Sequence, residues 1–431
     1  MKILVLSSTP WSYDNSFGNS FSNIFEGIED LEIANIACRP GYPTSYLVKR
    51  YFQITEKALI RNLKNSFCPS GTEILLTDQN IETQQNFHEE LKARTFGQKK
   101  HWQILFWARD MIWAIGRWKS PQLNAFIDEF EPDLIFQPVY YSSYLNDIAQ
   151  YIKGRTGAPM VGYISDDCYT LKQFSLSPLY WIDRLHKRRK VKKTIEMCEL
   201  LYVISDIQKK DYEKCFTTKC KILTKNADFS QLPECKDTYH QPLQLVYTGN
   251  IGTNRWKSLK MIADALETIN QGGIKAQLRI YTATPLTEKM ARGLIRGESS
   301  FVMGCVPASE VAEIQKNADM LVHVEALDLK NKLAVRQSFS TKIVDYLKAA
   351  RPILAAGPKD VASIDHLIRS DCAIVADNKN ELENKLRAVI ANPSVLGDIV
   401  QKAYECGRKY HNKQDIQKML TNDLNAVCGK Y

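Results

Sequence analysis

The chain has 431 residues, of which 44% are hydrophobic and 24% charged, and this composition excludes a disordered, collagen-like or coiled-coil protein. It is too long for one ordinary hydrophobic core, so we expect two domains. The net charge of +9 suits an anionic partner, such as a nucleotide, a nucleic acid or an acidic lipid. Eleven scattered cysteines without a CxxC pair or a His/Cys cluster indicate reduced thiols in a cytoplasmic protein rather than a disulfide framework or a zinc site.

Short apolar runs alternate with helical stretches along the chain, which is the pattern of parallel sheets. The first run, Met1 to Ser7, predicts a β-strand and is too short for a signal peptide, and no apolar run is long enough to span a membrane. We therefore expect an α/β protein with two doubly wound domains that bind ligands at the carboxyl ends of their strands. The predicted strands are residues 3–6, 31–36, 133–136, 160–164, 200–204 and 222–223, then 243–247, 276–281, 301–303, 320–324, 352–355 and 373–376.

The loop after the first strand carries small polar residues and a glycine that would face a cleft between the domains. Ser16, Phe17, Gly18 and Asn19 are candidate acceptor-binding residues, with a helix expected to start at Asn19 or Ser20. An ordinary capped helix start explains the same residues equally well.

Two helical stretches of the first half have unusual surfaces. Residues 101–119 contain four tryptophans and a narrow polar stripe, which indicates either a buried helix or one that lies on a membrane. Residues 184–193 hold seven cations, which form either a solvated face or a surface for acidic lipids. Nucleic-acid binding is disfavoured because no helix-turn-helix, zinc or ribonucleoprotein signature is present.

Asp166 and Asp167 follow the predicted strand at 160–164. Paired acids at a strand's carboxyl end are unfavourable unless they are used or satisfied, so they are candidates to bind sugar hydroxyls or to accept a proton. An N-cap would account for one of the two.

A polar, irregular stretch at residues 226–242 contains two prolines and predicts the break between domains. We assign residues 1–235 to an acceptor-binding domain and 236–410 to a nucleotide-binding domain. Residues 411–431 form a last helix, which we expect to pack back on the first domain.

The second half opens with a strand, a loop with Gly249 and Asn250, and a helix that carries Arg255 and Lys257 near its start. Glycine lets the backbone approach a ligand closely, and the two cations suit phosphate. A solvated turn is the competing interpretation. Glu325 also ends a predicted strand and would face the same cleft, as a ligand, a cap or an ion-pair partner.

Near residue 340, Ser340 or Thr341 can cap a helix that carries Lys342 in its first turn and Asp345 one turn deeper. A free helix start favours anions, and a cation there is unfavourable unless an anion is bound. A carboxylate at Asp345 can accept two hydrogen bonds from a ribose. A nucleoside diphosphate fits both features.

These motifs together resemble a GT-B glycosyltransferase, and the second half is similar to glycosyltransferase family 4, in particular to bacterial surface-polysaccharide enzymes. The family has two glutamates separated by seven residues around a helix start. Asp345 takes the place of the second, which holds the nucleotide ribose, while Gln337 replaces the first, and Glu325 is a candidate substitute. The family's catalytic His-Asp region falls at Asp166 and Asp167, without a histidine.

The resemblance implies a GT-B fold whose two Rossmann-like domains face a central cleft. It also implies a retaining, metal-independent hexosyltransferase that uses a nucleotide-sugar, with a UDP-sugar expected before a GDP-sugar, and needs no cofactor. The acceptor would be a saccharide or lipid-linked saccharide in capsule, exopolysaccharide or O-antigen synthesis, reached at the inner face of the plasma membrane. The alternative is a catalytically silent GT-B scaffold that binds a partner enzyme or a membrane surface. The expected catalytic residues are Asp166, Asp167, Arg255 and Lys342, and the expected donor-binding residues are Gly249, Asn250, Lys257, Glu325, Gln337, Ser340, Thr341 and Asp345.

Overall fold

The computed structural model of the protein describes residues 1–74, 103–231, 236 and 238–429. Two sheets form within these residues, each covered by helices, so the predicted α/β fold with two Rossmann-like domains is confirmed. His101, Trp102 and residues 232–235 of the predicted interdomain stretch lie outside the described residues. The boundary after residue 235 stays a prediction.

The first described sheet has the strand order β4-β3-β2-β1-β5-β6-β7-β8, and only the β3–β4 pair is antiparallel. Its central strands are buried on both faces, which explains why they read as continuous apolar runs. The strands are β1 Lys2–Ser7, β2 Glu32–Ala37, β3 Val48–Ile54, β4 Gly71–Ile74, β5 Leu134–Pro138, β6 Met160–Ile164, β7 Leu200–Val203 and β8 Lys219–Ile222. The helices around this sheet are α1 Ser16–Phe25, α2 Glu56–Lys64, α3 Gln103–Ile115, α4 Pro121–Phe130, α5 Ser143–Thr156, α6 Pro178–Glu196 and α7 Asp206–Glu213.

The second described sheet is parallel and has the order β11-β10-β9-β12-β13-β14. Its strands are β9 Leu243–Thr248, β10 Ala276–Tyr281, β11 Ser300–Gly304, β12 Met320–Val324, β13 Ile353–Ala356 and β14 Ile374–Ala376. The helices are α8 Arg255–Ile269, α9 Glu288–Leu294, α10 Ala308–Asn317, α11 Leu329–Val335, α12 Lys342–Lys348, α13 Ala362–Arg369, α14 Lys379–Ala391, α15 Val395–Tyr410 and α16 Lys413–Val427.

Strands β3 and β4 were not predicted from the sequence. Lys49 and Arg50 interrupt the apolar pattern of β3, and β4 is an edge strand of four residues. Arg50 pairs with Glu73 on β4 at 2.8 Å, so charges that look unfavourable for a buried strand are neutralised by the neighbouring strand.

Helix α16 lies against the first sheet. Leu420 and Leu424 are buried in the same core cluster as Phe25 and Phe136. The hydroxyl of Tyr202 donates a hydrogen bond to Asp423 at 2.8 Å. The chain therefore crosses between the two sheets twice, once after β8 and once before α16.

The carboxyl edge of the first sheet faces the second domain. Ser205, which follows β7, donates to the carbonyl of Gln337 at 2.6 Å, and Asp206 pairs with Arg369 at 2.6 Å. The loops that carry ligand chemistry in this fold therefore lie in a cleft between the sheets. No helix among the described residues combines the length and apolar character needed to cross a membrane.

Candidate functional site

The second sheet has its topological switch point between β9 and β12, because strands are added outward in opposite directions from this pair. Gly249 follows β9 and Glu325 follows β12, so both lie at the carboxyl end of the switch point. Open α/β sheets bind ligands at this position.

The ammonium of Lys342 is held at the same place. It donates to the carbonyl of Thr248 at 3.0 Å and lies 5.2 Å from the ring centre of Tyr247. A Cβ on Gly249 would come within 1.8 Å of the Lys342 Nζ, and Gly249 has φ +145°, so glycine is required by space and by conformation. Burial, reinforced by the charge of Arg255, lowers the pKa of Lys342 to about 8.

Arg255 and Glu325 form an ion pair beside this lysine, at 3.0 Å. Burial alone would raise the pKa of Glu325, but His323 and Arg255 outweigh it and hold that pKa below its usual value. Glu325 is therefore a carboxylate that balances one of the two cations. One positive charge of Lys342 and Arg255 is left for an anionic ligand.

The start of α12 differs from the prediction. Thr341 occupies the N-cap position, but neither it nor Ser340 caps the helix with its side chain. The turn is closed instead by the backbone, with Ile343 N donating to Ser340 O at 3.1 Å, and Ser340 N donates to Ser363 at 2.9 Å. The predicted side-chain cap is wrong, because the preceding residues already form a hydrogen-bonded turn.

Asp345 is paired with Lys225 from the segment after β8, at 2.6 Å. The Asp345 carboxylate is therefore paired rather than free, with a partner from a remote part of the chain, and its role as a ribose acceptor stays a prediction. Asn250 shapes its loop, with its side chain accepting from Gly252 N at 2.6 Å. Lys257 is exposed on the first turn of α8. Burial opposes ionisation of the nearby Asp328, but hydrogen bonds from Asn331 and Asn254, with a smaller contribution from the charge of Lys257, lower the pKa of that carboxyl.

A cavity of about 480 Å³ opens next to Gly249, at the carboxyl ends of β9, β10 and β11. Thr282, Thr284 and Val306 are among the residues that line it. Sequence reasoning missed these residues, although their position directly after predicted strands was a usable signal.

Gln337 is buried at the contact between the domains and does not face this cavity. Its amide nitrogen donates to Asp211 on α7 at 2.7 Å, and Asp211 also pairs with Lys172 and Arg336. Burial opposes ionisation of Asp211, but these partners outweigh it and keep its pKa below its usual value. The predicted donor contact of Gln337 is thus replaced by a contact between domains.

Asp166 and Asp167 have different environments. Asp166 is exposed in the cleft and accepts from Ser338 of the second domain at 2.7 Å. Asp167 is almost buried, accepts from Thr170 N at 2.8 Å and from the Thr170 hydroxyl, and pairs with Arg184 at 3.2 Å. Because Thr170 and Arg184 occupy its oxygens, Asp167 stabilises the loop after β6 and is not free for the catalytic role that the sequence suggested.

Helix α1 starts earlier than predicted, at Ser16, with Asn15 as N-cap accepting from Gly18 N at 2.8 Å. Ser16 and Asn19 are exposed, whereas Phe17 packs against Trp11 with ring centres 5.5 Å apart. A Cβ on Gly18 would meet Ser12 O at 2.0 Å. Of the four candidate residues, Ser16 and Asn19 are exposed and can contact an acceptor, whereas Phe17 and Gly18 pack against residues of the preceding loop.

The basic run on α6 is mostly paired. Arg184 and Lys187 are buried, and Lys187 lies 2.9 Å from Asp183. Arg188 lies over the ring of Tyr169 at 4.0 Å, and Lys190 pairs with Asp147 at 2.6 Å. The basic run is therefore neither a fully solvated face nor a fully free surface for acidic lipids, because carboxylates of other elements and Glu196 of the same helix pair with four of its seven cations.

The tryptophans of the 101–119 stretch mostly face inward. Trp113 stacks on Tyr144 with ring centres 4.2 Å apart, and Trp107 donates to Asp183 at 3.1 Å. Trp118 lies beyond the end of α3 and is buried against Tyr151. Met111 and Ile115 are exposed, so the helix is neither wholly buried nor wholly a surface helix.

Solved structures with this fold include glycosyltransferases. The Anabaena protein Alr3699/HepE in complex with UDP has a TM-score of 0.64 and 12% sequence identity, over 99% of this chain and 100% of that one. Sucrose-phosphate synthase from Thermosynechococcus elongatus has a TM-score of 0.62 and 11% identity, over 100% of both chains. HepE in complex with UDP-glucose has a TM-score of 0.57 and 13% identity, over 99% and 100%.

These comparisons show that the fold is the GT-B fold. No protein-family model matches the chain, and no curated protein matches it. Membership of glycosyltransferase family 4 therefore stays a prediction.

The contact between Gly249 and Lys342 predicts a cost for any side chain at position 249. Gly249→Ala should lower the free energy of unfolding by about 1–3 kcal/mol, because the methyl group meets the buried ammonium and the backbone is strained. Calorimetric unfolding measures the effect. Gly273→Ala is the matched control, since Gly273 also has a positive φ, of +119°, and a Cβ there meets nothing within 4 Å; an equal loss of stability in both variants would contradict the close contact.

Proposed function

We propose that the protein is a glycosyltransferase of the hexosyltransferase type that takes its sugar from a nucleotide-sugar and transfers it to a saccharide or lipid-linked saccharide. The observation that carries this proposal is the pair of cations, Lys342 and Arg255, at the switch point of the second sheet beside the 480 Å³ cavity. The UDP and UDP-glucose complexes of HepE favour a UDP-sugar before a GDP-sugar.

The proposed chemistry is electrostatic. As the bond between sugar and diphosphate breaks, negative charge grows on the diphosphate, and fixed positive groups lower the energy of that state. Lys342 and Arg255 supply such charge from fixed positions. In enzymes that use a metal ion, the metal supplies this charge instead. A retaining, metal-independent reaction in bacterial surface-polysaccharide synthesis remains the expectation from the family resemblance.

Asp166 is the proposed polar group of the first domain at the reaction centre. It is exposed in the cleft and touches Ser338, four residues before Lys342. Asp345 is the proposed hydrogen-bond acceptor for the ribose hydroxyls. Binding would then require at least one Asp345 oxygen to exchange its contact with Lys225 for a contact with the ribose. Exposed Ser16 and Asn19 remain candidates for the acceptor.

A catalytically silent scaffold is the second candidate, and the position of Gln337 favours it, because its amide binds Asp211 instead of facing the cavity. An assay separates the two candidates. An enzyme hydrolyses or transfers the sugar of UDP-glucose or another nucleotide-sugar, whereas a scaffold binds UDP without turnover.

Removing the cation at position 342 tests the donor site. Lys342→Ala should weaken binding of UDP by about 1.5–3 kcal/mol, the range for hydrogen bonds to charged groups. Uridine binding should change much less, because it lacks phosphate, and isothermal titration calorimetry measures both. Lys348→Ala, at the exposed end of the same helix, is the control. Unchanged UDP affinity in Lys342→Ala would contradict the phosphate assignment.

The lowered pKa of Lys342 predicts a pH dependence. Below about pH 8 the ammonium is already protonated, so UDP binding needs no proton from this group. Above that pH the free protein holds neutral lysine, and an anionic ligand must draw in a proton, so Kd rises by up to about tenfold per pH unit. Titrations between about pH 7 and 9.5 in buffers of different ionisation enthalpy should detect this proton uptake. Lys342→Ala should show a flatter profile, and equal slopes would rule out Lys342 as the titrating group.

A membrane surface is the proposed location of the acceptor, supported by apolar side chains near the start of α6 and by two cations of the basic run that have no carboxylate partner among the described residues. Leu176 is 88% exposed and Leu179 is 47% exposed at the start of α6, and the exposed cations Arg189 and Lys193 lie further along that helix. Apolar side chains with nearby cations bind anionic membranes peripherally.

Co-sedimentation with anionic vesicles tests this surface. The Leu176→Ser/Leu179→Ser variant should bind the vesicles more weakly. In Arg189→Glu/Lys193→Glu the free energy of vesicle binding should weaken by about 1 kcal/mol for each cation removed, and by more if the new glutamates are repelled by the anionic lipid. Ile295→Ser, at a residue 50% exposed in the second domain, is the control. Lys187 and Arg188 are unsuitable targets, because their substitution would break internal contacts. If the wild type ignores anionic vesicles at low salt, a membrane-bound acceptor is excluded.

A further inference from the structure

The start of α5 lies at the switch point of the first sheet, which the proposed donor site does not use. Strands β1 and β5 are neighbours there, with Ser8 following β1 and Ser142 serving as N-cap of the 14-residue helix α5. The Ser142 side chain makes no capping bond, and the first turn holds no acidic residue. Neither a side-chain cap nor an acidic residue of its own first turn therefore competes with an anion at this helix start.

Buried hydrogen-bond donors without partners collect around this helix start. They are Ser8 Oγ, Ser142 Oγ, Ser143 Oγ, Tyr144 OH and Arg109 Nε, among the described residues. The exposed fractions of Ser142 and Tyr144 are only 6% and 3%. Native proteins leave few such groups unsatisfied, so a cluster of them indicates a ligand or ordered water. Two amide oxygens nearby, of Gln137 and Asn146, also lack donors and suit hydroxyl groups.

Two arginines bring positive charge to this cluster. Arg109 lies 5.4 Å from the centre of the Tyr144 ring. Arg39 follows β2, and the N–H of the preceding residue, Cys38, donates to Ser7 O at 3.2 Å, so Arg39 lies beside Ser8 at the carboxyl edge of the first sheet. Burial raises the pKa of Tyr144, and the charges of Arg39 and Arg109 partly oppose that rise. Within the described part of the chain, the Arg39 side chain has no hydrogen bond or ion pair with a carboxylate. Its charge is therefore available to a ligand.

A cavity of about 1120 Å³ between α3, α5 and α6 reaches this cluster, since Ser143 and Tyr144 are among its lining residues. The carboxylates along it are paired: Asp110 with Arg109 and Lys187, Asp183 with Lys187, and Asp147 with Lys190. The Nε of Arg109 still has no hydrogen-bond partner among the described residues. The lining also includes Arg117, Lys119 and Lys193, which have no carboxylate partner among the described residues. The cavity thus has an excess of positive charge beside aromatic walls.

We propose that the start of α5, together with Arg39, Arg109 and Tyr144, binds the phosphate group of a phosphate-bearing acceptor saccharide. The many donors match phosphate, with its three acceptor oxygens, better than a planar carboxylate. This inference rests on the proposed transferase function and specifies its acceptor. The phosphate belongs either to a free sugar phosphate or to the diphosphate of a lipid-linked saccharide.

Calorimetry on the full chain with UDP at saturation tests the site, because UDP occupies the donor phosphates. The probes are glucose 6-phosphate, pyrophosphate and farnesyl diphosphate, with glucose and glucuronate for comparison. We expect the phosphate compounds to bind and glucose and glucuronate to bind at least about tenfold more weakly. Tighter binding of farnesyl diphosphate than of pyrophosphate identifies a lipid-linked acceptor, and tighter binding of glucose 6-phosphate identifies a free one.

Arg39→Gln and Tyr144→Phe should each weaken the phosphate probes about tenfold and leave UDP affinity unchanged. The controls are Arg61→Gln, at an exposed arginine of α2, and Tyr212→Phe, which removes another buried hydroxyl of the first domain. No binding of any phosphate probe, or equal binding by wild type and both variants, overturns the proposal. If UDP fails to bind while the phosphate probes still depend on Arg39, the transferase function fails and the phosphate site stands.

Discussion

The buried ammonium of Lys342 is the constraint around which the second domain's site is built. It sits against the Thr248 carbonyl and the Tyr247 ring, and this is possible only because position 249 has no side chain. A buried cation is unfavourable in a low-dielectric environment, as its lowered pKa shows. Arg255 adds to that cost, and Glu325 offsets only part of it. A bound diphosphate would complete the charge balance, so the site favours an anionic ligand.

The segment from Arg336 to Asp345 belongs to the second domain and is held in place by side chains of the first. Asp211 of the first domain binds Arg336 and Gln337, and Lys225 binds Asp345. Lys342 lies between these anchors, so a change in the relative position of the domains would act directly on the segment that carries the cation. Such a change would act through Gln337 and Asp345, two side chains that the sequence suggested only as ligands.

The first domain shows why a run of positively charged residues in the sequence does not by itself predict a positively charged surface. The cations of α6 are adjacent in sequence, but Asp110, Asp147, Asp167 and Asp183 reach them from several elements. Among the described residues, Arg189 and Lys193 on α6 have no carboxylate partner, and the same holds for Arg39 and for Arg117 and Lys119 at the rim of the cavity between α3, α5 and α6. These cations, rather than the whole basic run, are the candidates for contact with an anionic ligand.

The α/β class, most strand positions, the last helix and the polar loops at the second switch point all follow from the amino-acid sequence. These features are local: buried parallel strands form continuous apolar runs, and glycine and lysine at the ends of strands and helices indicate a close backbone approach and a phosphate ligand. Which polar groups have partners depends on the tertiary structure. Asp167, Gln337 and Asp345 are all plausible ligands by spacing, yet partners from remote segments occupy them. Hydrogen bonds and ion pairs form between residues far apart in the chain, so local pattern could place these side chains at the cleft but could not show what they touch.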